Sequence, residues 1–209
     1  HLIICIGRTH GSAGTDIGFA LADKLKINYY DAEIFKQVLK RLDAEKEQVV
    51  DHSDCRTELR EKNHKNTNIG KFFENFNRYH GLPTQDAIFF NQSNLICEMA
   101  KKEDFIVMGR CADVVLTNHR IPHISIFITA SFEQRVHRMM ELHNLNYKQA
   151  VLLLTKLDRK HERYYRHYTG KKWGDAVNYD LCINSASYGI EESVELIERM
   201  INQYPNRDK

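Results

Sequence analysis

The residues best suited to chemistry come early, in "GRTHGSAGTDIG" at 7–18. Gly11, Ser12, Ala13, Gly14, Thr15 and Asp16 join an apolar β-branched run to an amphipathic helical pattern with Ile17, Leu21 and Leu25 on one side. Strand, glycine loop and helix in that order can hold a phosphate, because unpaired backbone N–H groups and the positive end of the helix dipole both point at the anion. Such a loop ordinarily ends in a lysine that neutralises the transferring phosphoryl group, and here Gly14 is followed by Thr15 and Asp16. Anion binding survives that substitution, but the point charge has to come from elsewhere. The alternative is a tight strand-to-helix turn with no ligand.

Three later segments offer cations and carboxylates. In "VMGRCADVV" at 107–115, Arg110 leaves an apolar run and enters a helical pattern, where an arginine either holds a phosphate bidentately or pairs with a carboxylate such as Asp113. In "TASFEQRVHRMMELH", Ser131 and Gln134 make a capping-box pattern, and Arg135 and Arg138 share a face as nucleotide contacts or as an exposed stripe. The run "KLDRKHERYYRHYTGKK" at 156–172 sets Arg159, Arg163 and Arg166 at i, i+4 and i+7, with Asp158 and Glu162 beside them. A cationic stripe on a mobile helical segment can fold over a polyphosphate and stabilise transition-state charge, which would return to the loop the cation it lacks. The bland reading is a solvated helix face.

The elements that must position these groups follow from periodicity. Apolar runs at 2–6, 27–30, 105–108, 124–128 and 179–183 read as strands, with helical patterns between and after them. That alternation predicts an α/β fold with a parallel sheet covered on both faces. Ligands of such sheets sit at the carboxyl ends of the strands, where Gly11, Ser12, Gly14, Asp31, Gly109, Arg110, Ser187 and Tyr188 converge. The polar segment 43–83 reads as an insertion and 146–173 as a helical lid, leaving a core of about 1–42, 84–145 and 174–209 in a single domain. A chain of 209 residues with a formal charge of +2 suits one domain and argues against a general nucleic-acid binder. No apolar run reaches the roughly 18 residues of a membrane span, so no membrane partner and a cytoplasmic setting are expected. The five cysteines, Cys5, Cys55, Cys97, Cys111 and Cys182, lack ligand spacing and suit reduced thiols.

Taken in order, "HGSAGTDIG", "YYDAEI", "VMGRCADVVL", "FITASFEQRVHRM", "DRKHERYYRHYTGKKWGD" and "YDLCINSASYGIEESVELI" cover nearly the whole chain. Together they resemble the cytidylate kinase-like proteins, a nucleoside monophosphate kinase branch of the P-loop NTPase fold. The resemblance implies a five-stranded parallel sheet flanked by helices, with a helical lid and an inserted acceptor-binding segment. It implies ATP held by residues 11–16, Mg²⁺ carried in with ATP toward the hydroxyl of Ser12 or Thr15, and a monophosphate held between Asp31, Arg110 and the lid. Gln92 and Asp158 would lie on the acceptor side, and Arg159 and Arg163 would act on the transferring group. The chain differs from the family pattern at Thr15, where relatives carry a cation, at Met108, where they carry an aspartate, and at Ser93, where they carry an arginine. The expected function is ATP-dependent phosphotransfer to a small nucleotide-type acceptor. The alternatives are a non-catalytic or regulatory nucleotide-binding protein and a kinase of a non-nucleotide metabolite on the same scaffold. Oligomeric state stays open.

Overall fold

The apolar β-branched runs form the strands expected of them. The computed structural model describes residues 1–33, 35 and 84–203. Strands β1 (Ile3–Arg8), β2 (Asn28–Tyr30), β3 (Phe105–Met108), β4 (Ile124–Thr129) and β5 (Leu181–Asn184) lie parallel in the order β2-β3-β1-β4-β5. Among the described residues the helices are α1 (Gly14–Leu25), α2 (Thr84–Met99), α3 (Ala112–Asn118), α4 (Phe132–His143), α5 (Tyr147–Thr169) and α6 (Ser185–Gln203), the last broken at Gly189.

Successive strand residues point to opposite faces, and the central strand divides its side chains accordingly. Ile3 and Cys5 pack with Leu95 and Ile96 of α2 and Leu116 of α3. Ile4 and Ile6 pack with Ile17 and Leu21 of α1 and with Val194 and Ile197 of α6. The sheet is therefore covered on both sides, as a parallel sheet requires. Helix α5 starts at a reciprocal capping box between Asn146 and Gln149 and ends at Gly170, whose φ of 69° suits glycine. It packs on α4 through Val136, Met139, Ala150 and Leu154. The insertion expected at 43–83 lies outside the described residues, as does Cys55. Cys5, Cys97, Cys111 and Cys182 are free thiols. Among the described residues no helix is long and apolar enough to cross a membrane.

One difference from the expected strands bears on the site. β1 does not stop before Gly7 but continues through Arg8, because Gly7 and Arg8 pair with Phe127 and Ile128 of β4. Gly7 belongs in the strand for a packing reason: a Cβ there would lie 2.8 Å from Phe127 Cδ2. The extra length carries Arg8 to the carboxyl edge of the central strand.

The capping box fixes where α5 begins. Asn146→Ala should therefore lower the unfolding free energy by about 1 kcal/mol, seen as a lower urea midpoint at an unchanged m-value. An unchanged midpoint would mean that packing against α4 alone sets the start of the helix.

Candidate active site

The loop between β1 and α1 is shaped by its backbone. Gly11 (φ 74°) and Ala13 (φ 57°) turn it through the left-handed region, and α1 opens at Gly14 with no side-chain cap on its first N–H groups. Those are the donors that a phosphate takes. Ser12 serves the other side of the loop. It is 2% exposed, its hydroxyl donates to the carbonyl of Thr9 at 2.8 Å with that of Ile128 at 3.2 Å, and its own carbonyl accepts from Ser185 Oγ at 2.5 Å. Ser12 thus pins the loop to β4 and α6 through its hydroxyl proton and its carbonyl. Thr15 and Asp16 are exposed, and Asp16 pairs with Arg138 at 2.9 Å. Among the described residues no group of three or more His, Cys, Asp or Glu side chains is placed to hold a metal ion. With only the Thr15 hydroxyl open, these residues do not fit a protein-held Mg²⁺.

Arg135 turns inward rather than toward a ligand. Its Nη1 donates to Asp158 Oδ2 at 2.6 Å and to the His10 carbonyl at 3.2 Å, and its Nε donates to the Ala130 carbonyl at 3.1 Å. Asp158 also accepts from the His10 backbone N–H at 3.3 Å and lies 3.3 Å from His10 Nδ1. Burial pushes the Asp158 carboxyl up, but the hydrogen bonds from His10 and Arg135 outweigh it and hold the group below the usual carboxylate range. One carboxylate of α5 therefore ties α4 to the loop. Arg135, Asp158, Arg138 and Asp16 are all engaged with protein partners.

Beside this knot, at the carboxyl edge of β1 and β3, opens a small cleft whose lining includes Arg8, Gly109, Arg110, Asp113, His161, Tyr164, Tyr165 and Trp173. Gly109, Arg110 and Cys111 follow β3 at φ 67°, 59° and 55°. Left-handed geometry costs a non-glycine residue roughly 1–2 kcal/mol, and strain of this kind gathers at ligand clamps. Arg110 does not pair with Asp113. That carboxylate accepts from the Tyr165 hydroxyl at 2.7 Å, and burial pushes its pKa up. Arg110 stands beside the Tyr164 hydroxyl instead.

Arg8 is the site residue that sequence reasoning missed. A Cβ on Gly14 would lie 2.5 Å from Arg8 Cβ, and one on Gly109 would lie 3.2 Å from Arg8 Nη1, so the stem crosses the start of α1 and the tip reaches the Arg110 turn. Burial lowers the guanidinium pKa; Tyr29 and Asp31 oppose that effect and Arg110 adds to it. Among the described residues Arg8 makes no hydrogen bond or ion pair. A signal for it did exist. The dipeptide Gly-Arg occurs at 7–8 and at 109–110, and Ile6 pairs with Met108, so the two arginines occupy equivalent positions on neighbouring strands.

The arginine stripe of α5 is not brought to the cleft. Arg159, Arg163 and Arg166 are exposed, and Arg166 pairs with Glu162 at 3.2 Å. At about 100° per residue they lie roughly 140–200° around the helix from His161; the inward face belongs to His161, Tyr164 and Tyr165. Asp31 caps the turn after β2 by accepting from the Glu33 N–H at 3.0 Å. On α2, Gln92 is 2% exposed, and neither amide atom has a partner among the described residues. Ser93 donates back to the Phe89 carbonyl at 2.8 Å. Phe89 stacks on Tyr168 at 3.9 Å, which joins α2 to the inward side of α5.

His161 gives the site a pH signature. Its ring meets His10 edge-on at 4.5 Å, and burial, followed by the charges of His10 and Arg8, lowers its pKa to about 4. An unfolded histidine titrates near pH 6.5, so between about 6.5 and 4 the unfolded chain binds more protons. The contribution is full above pH 6.5 and is lost as the pH falls toward 4. Melting curves of His161→Gln should accordingly lose part of the acid-side decline seen in the parent between pH 6.5 and 4. Superimposable pH profiles would show that His161 titrates normally.

The arrangement has counterparts in fold. A solved structure of an uncharacterized protein from Eubacterium ventriosum ATCC 27560 shares 24% identity, at a TM-score of 0.71 over 97% of this chain and 99% of that one. A gluconokinase from Sinorhizobium meliloti 1021 shares 10% identity, at a TM-score of 0.52 over 100% of this chain and 97% of that one. Among curated proteins none matches the chain. The profile of the cytidylate kinase-like family matches residues 3–187, which takes in the loop, the Arg110 turn and all of α5. With the parallel sheet and phosphate loop of a P-loop kinase, the chain belongs to the cytidylate kinase-like family.

Proposed function

We propose that the protein transfers the γ-phosphoryl group of ATP to a small nucleotide-type acceptor that already carries a phosphate. The observation that carries this reading is the pair Arg8 and Arg110, two cations with no ion-pair partner among the described residues, in one cleft beside an uncapped helix N-terminus. The N–H groups at the start of α1 hold the ATP phosphates, and Arg110 orients the acceptor phosphate through its planar fork. An oxygen of that phosphate attacks the γ-phosphorus. The new P–O bond forms as the bond to the β–γ bridging oxygen breaks, and ADP leaves with that electron pair. No proton has to be removed, because the acceptor phosphate is already ionised, and catalysis is mostly positioning and electrostatics.

The polar groups of the cleft favour such an acceptor over an alcohol. An alcohol calls for a base with a pKa near the working pH. Asp113 is held by Tyr165, Asp158 by Arg135 and His10, and His161 is too weak a base at a pKa of about 4. Asp31 acts on Arg8 from the end of β2, and it supports a second reading, in which this carboxylate serves as base for the hydroxyl of a non-nucleotide metabolite. Gln92, expected on the acceptor side, is buried on α2 without a partner among the described residues. Leaving a buried amide without partners costs about 1–3 kcal/mol, and an acceptor bearing donors and acceptors of its own would recover that cost.

An ADP-release assay across nucleoside monophosphates, hydroxy acids and sugars separates these readings. Turnover is expected with a monophosphate. Turnover with alcohols alone would favour the Asp31 chemistry, and turnover with no acceptor would leave a nucleotide-binding protein without catalysis. With the preferred monophosphate, Arg110→Ala should raise the acceptor KM by roughly tenfold or more with ATP affinity nearly unchanged, and Arg110→Lys should rescue it only in part. Gln92→Met should melt no lower than the parent and yet raise the acceptor KM. A lower melting temperature with an unchanged KM would assign Gln92 to the core.

A further inference from the structure

The loop lacks a lysine, and a cation stands where one is needed. We infer that Arg8 takes the lysine's place, its guanidinium binding the terminal phosphate of ATP between the N-terminus of α1 and Arg110. The inference rests on the phosphotransfer reading of the cleft and adds to it the source of the missing charge.

Three observations carry it. First, the position is built for a guanidinium. Glycine at 14 admits the stem, which a Cβ would meet at 2.5 Å, and glycine at 109 admits the tip, with 3.2 Å from a Cβ to Nη1. Second, Arg8 has none of the partners that a structural arginine has. Arg135, buried against the same loop, donates to two carbonyls and a carboxylate, whereas Arg8 makes no hydrogen bond or ion pair among the described residues. Because a guanidinium does not deprotonate in proteins, its five donors and its charge stay available. Third, Arg8 and Arg110 act on each other as like charges in the same cleft. An anion bound at Arg8 offsets that repulsion and leaves Arg110 to the acceptor phosphate. The other cations expected to serve, Arg159 and Arg163, face outward.

The test uses calorimetric titration of the full chain with ATP and with ADP at low and moderate salt, together with thermal melting without ligand, on the parent, Arg8→Met and Arg8→Lys. Methionine keeps much of the stem and removes the charge. Arg8→Met should weaken ATP binding roughly 10- to 100-fold, the range expected for a charge-assisted hydrogen bond. It should weaken ADP binding less, so that the ATP-to-ADP preference shrinks, and it should flatten the salt dependence of ATP affinity. Arg8→Lys should recover most of the preference. In the absence of ligand, Arg8→Met should melt no lower than the parent, since the cost of burying the charge outweighs the attraction of Tyr29 and Asp31 and is removed with it. If Arg8→Met binds ATP like the parent with the same salt dependence, or if it melts well below the parent or fails to fold, then Arg8 is structural and the inference is overturned. A parent protein that binds no ATP would overturn the phosphotransfer reading as well, which separates the two failures.

Discussion

A guanidinium cannot shed its charge, so one that is half buried without an ion-pair partner among the described residues must be held in place largely by shape. For Arg8 the shape is supplied by Gly14 under its stem and Gly109 beside its tip, and neither position has room for an undisturbed Cβ. For Arg110 it is supplied by three successive left-handed residues after β3. Backbone geometry aims both cations, and neither is neutralised by an ion pair among the described residues. Had either been aimed by an ion pair, the partner would compete with any ligand.

The loop is organised on the opposite principle at its back. Ser12, Ser185, Asp158 and Arg135 all find protein partners, and together they fasten the loop to β4, α6, α4 and α5. Buried polar networks rigidify when fully satisfied. Saturated hydrogen bonds behind the loop and uncapped N–H groups in front of it make a rigid frame that, in the proposed transfer, would not have to reorganise as charge shifts. Asp158 illustrates the economy of the arrangement: one carboxylate neutralises Arg135 and also receives the His10 backbone N–H, so the loop and α5 move together.

Much of this was legible in the sequence, and the rest was hidden for identifiable reasons. The strand at 105–108 is an uninterrupted apolar run and the one at 124–129 nearly so, and the cap at Ser131 is a local signal that needs no tertiary context. Arg110 could be read because it follows an unmistakable strand. Arg8 could not, because glycine ordinarily ends such a run; Gly7 remains in β1 because it pairs with Phe127 of β4, whose ring fills the space a side chain would need. Ser12 was ambiguous for the same kind of reason, since which way a loop hydroxyl turns depends on carbonyls far along the chain, here that of Ile128. On α5 the spacing correctly placed Arg159, Arg163 and Arg166 on one face but did not say which face turns inward. His161, Tyr164, Tyr165 and Tyr168 define a competing stripe. The aromatic one wins, because burying rings against Phe89 and Cys111 is favourable and burying unpaired arginines is not.

Magnitudes also favour a cation from the strand over one from the helix. Two unit charges 4 Å apart interact by roughly 1 kcal/mol in bulk water and by about 4 kcal/mol at the effective dielectric near a protein surface. Arg159 and Arg163, exposed on the outer side of α5, are in the first regime. Arg8, enclosed by the loop, the Arg110 turn and the cleft, is in the second. To reach it, α5 would have to rotate by nearly half a turn, withdrawing Tyr165 from Asp113 and separating the stacked rings of Tyr168 and Phe89. That rotation would leave the Asp113 carboxylate buried without its donor. A cation that leaves the central strand just before the loop needs no such rearrangement, and at the proposed phosphate position the dielectric makes each contact count most.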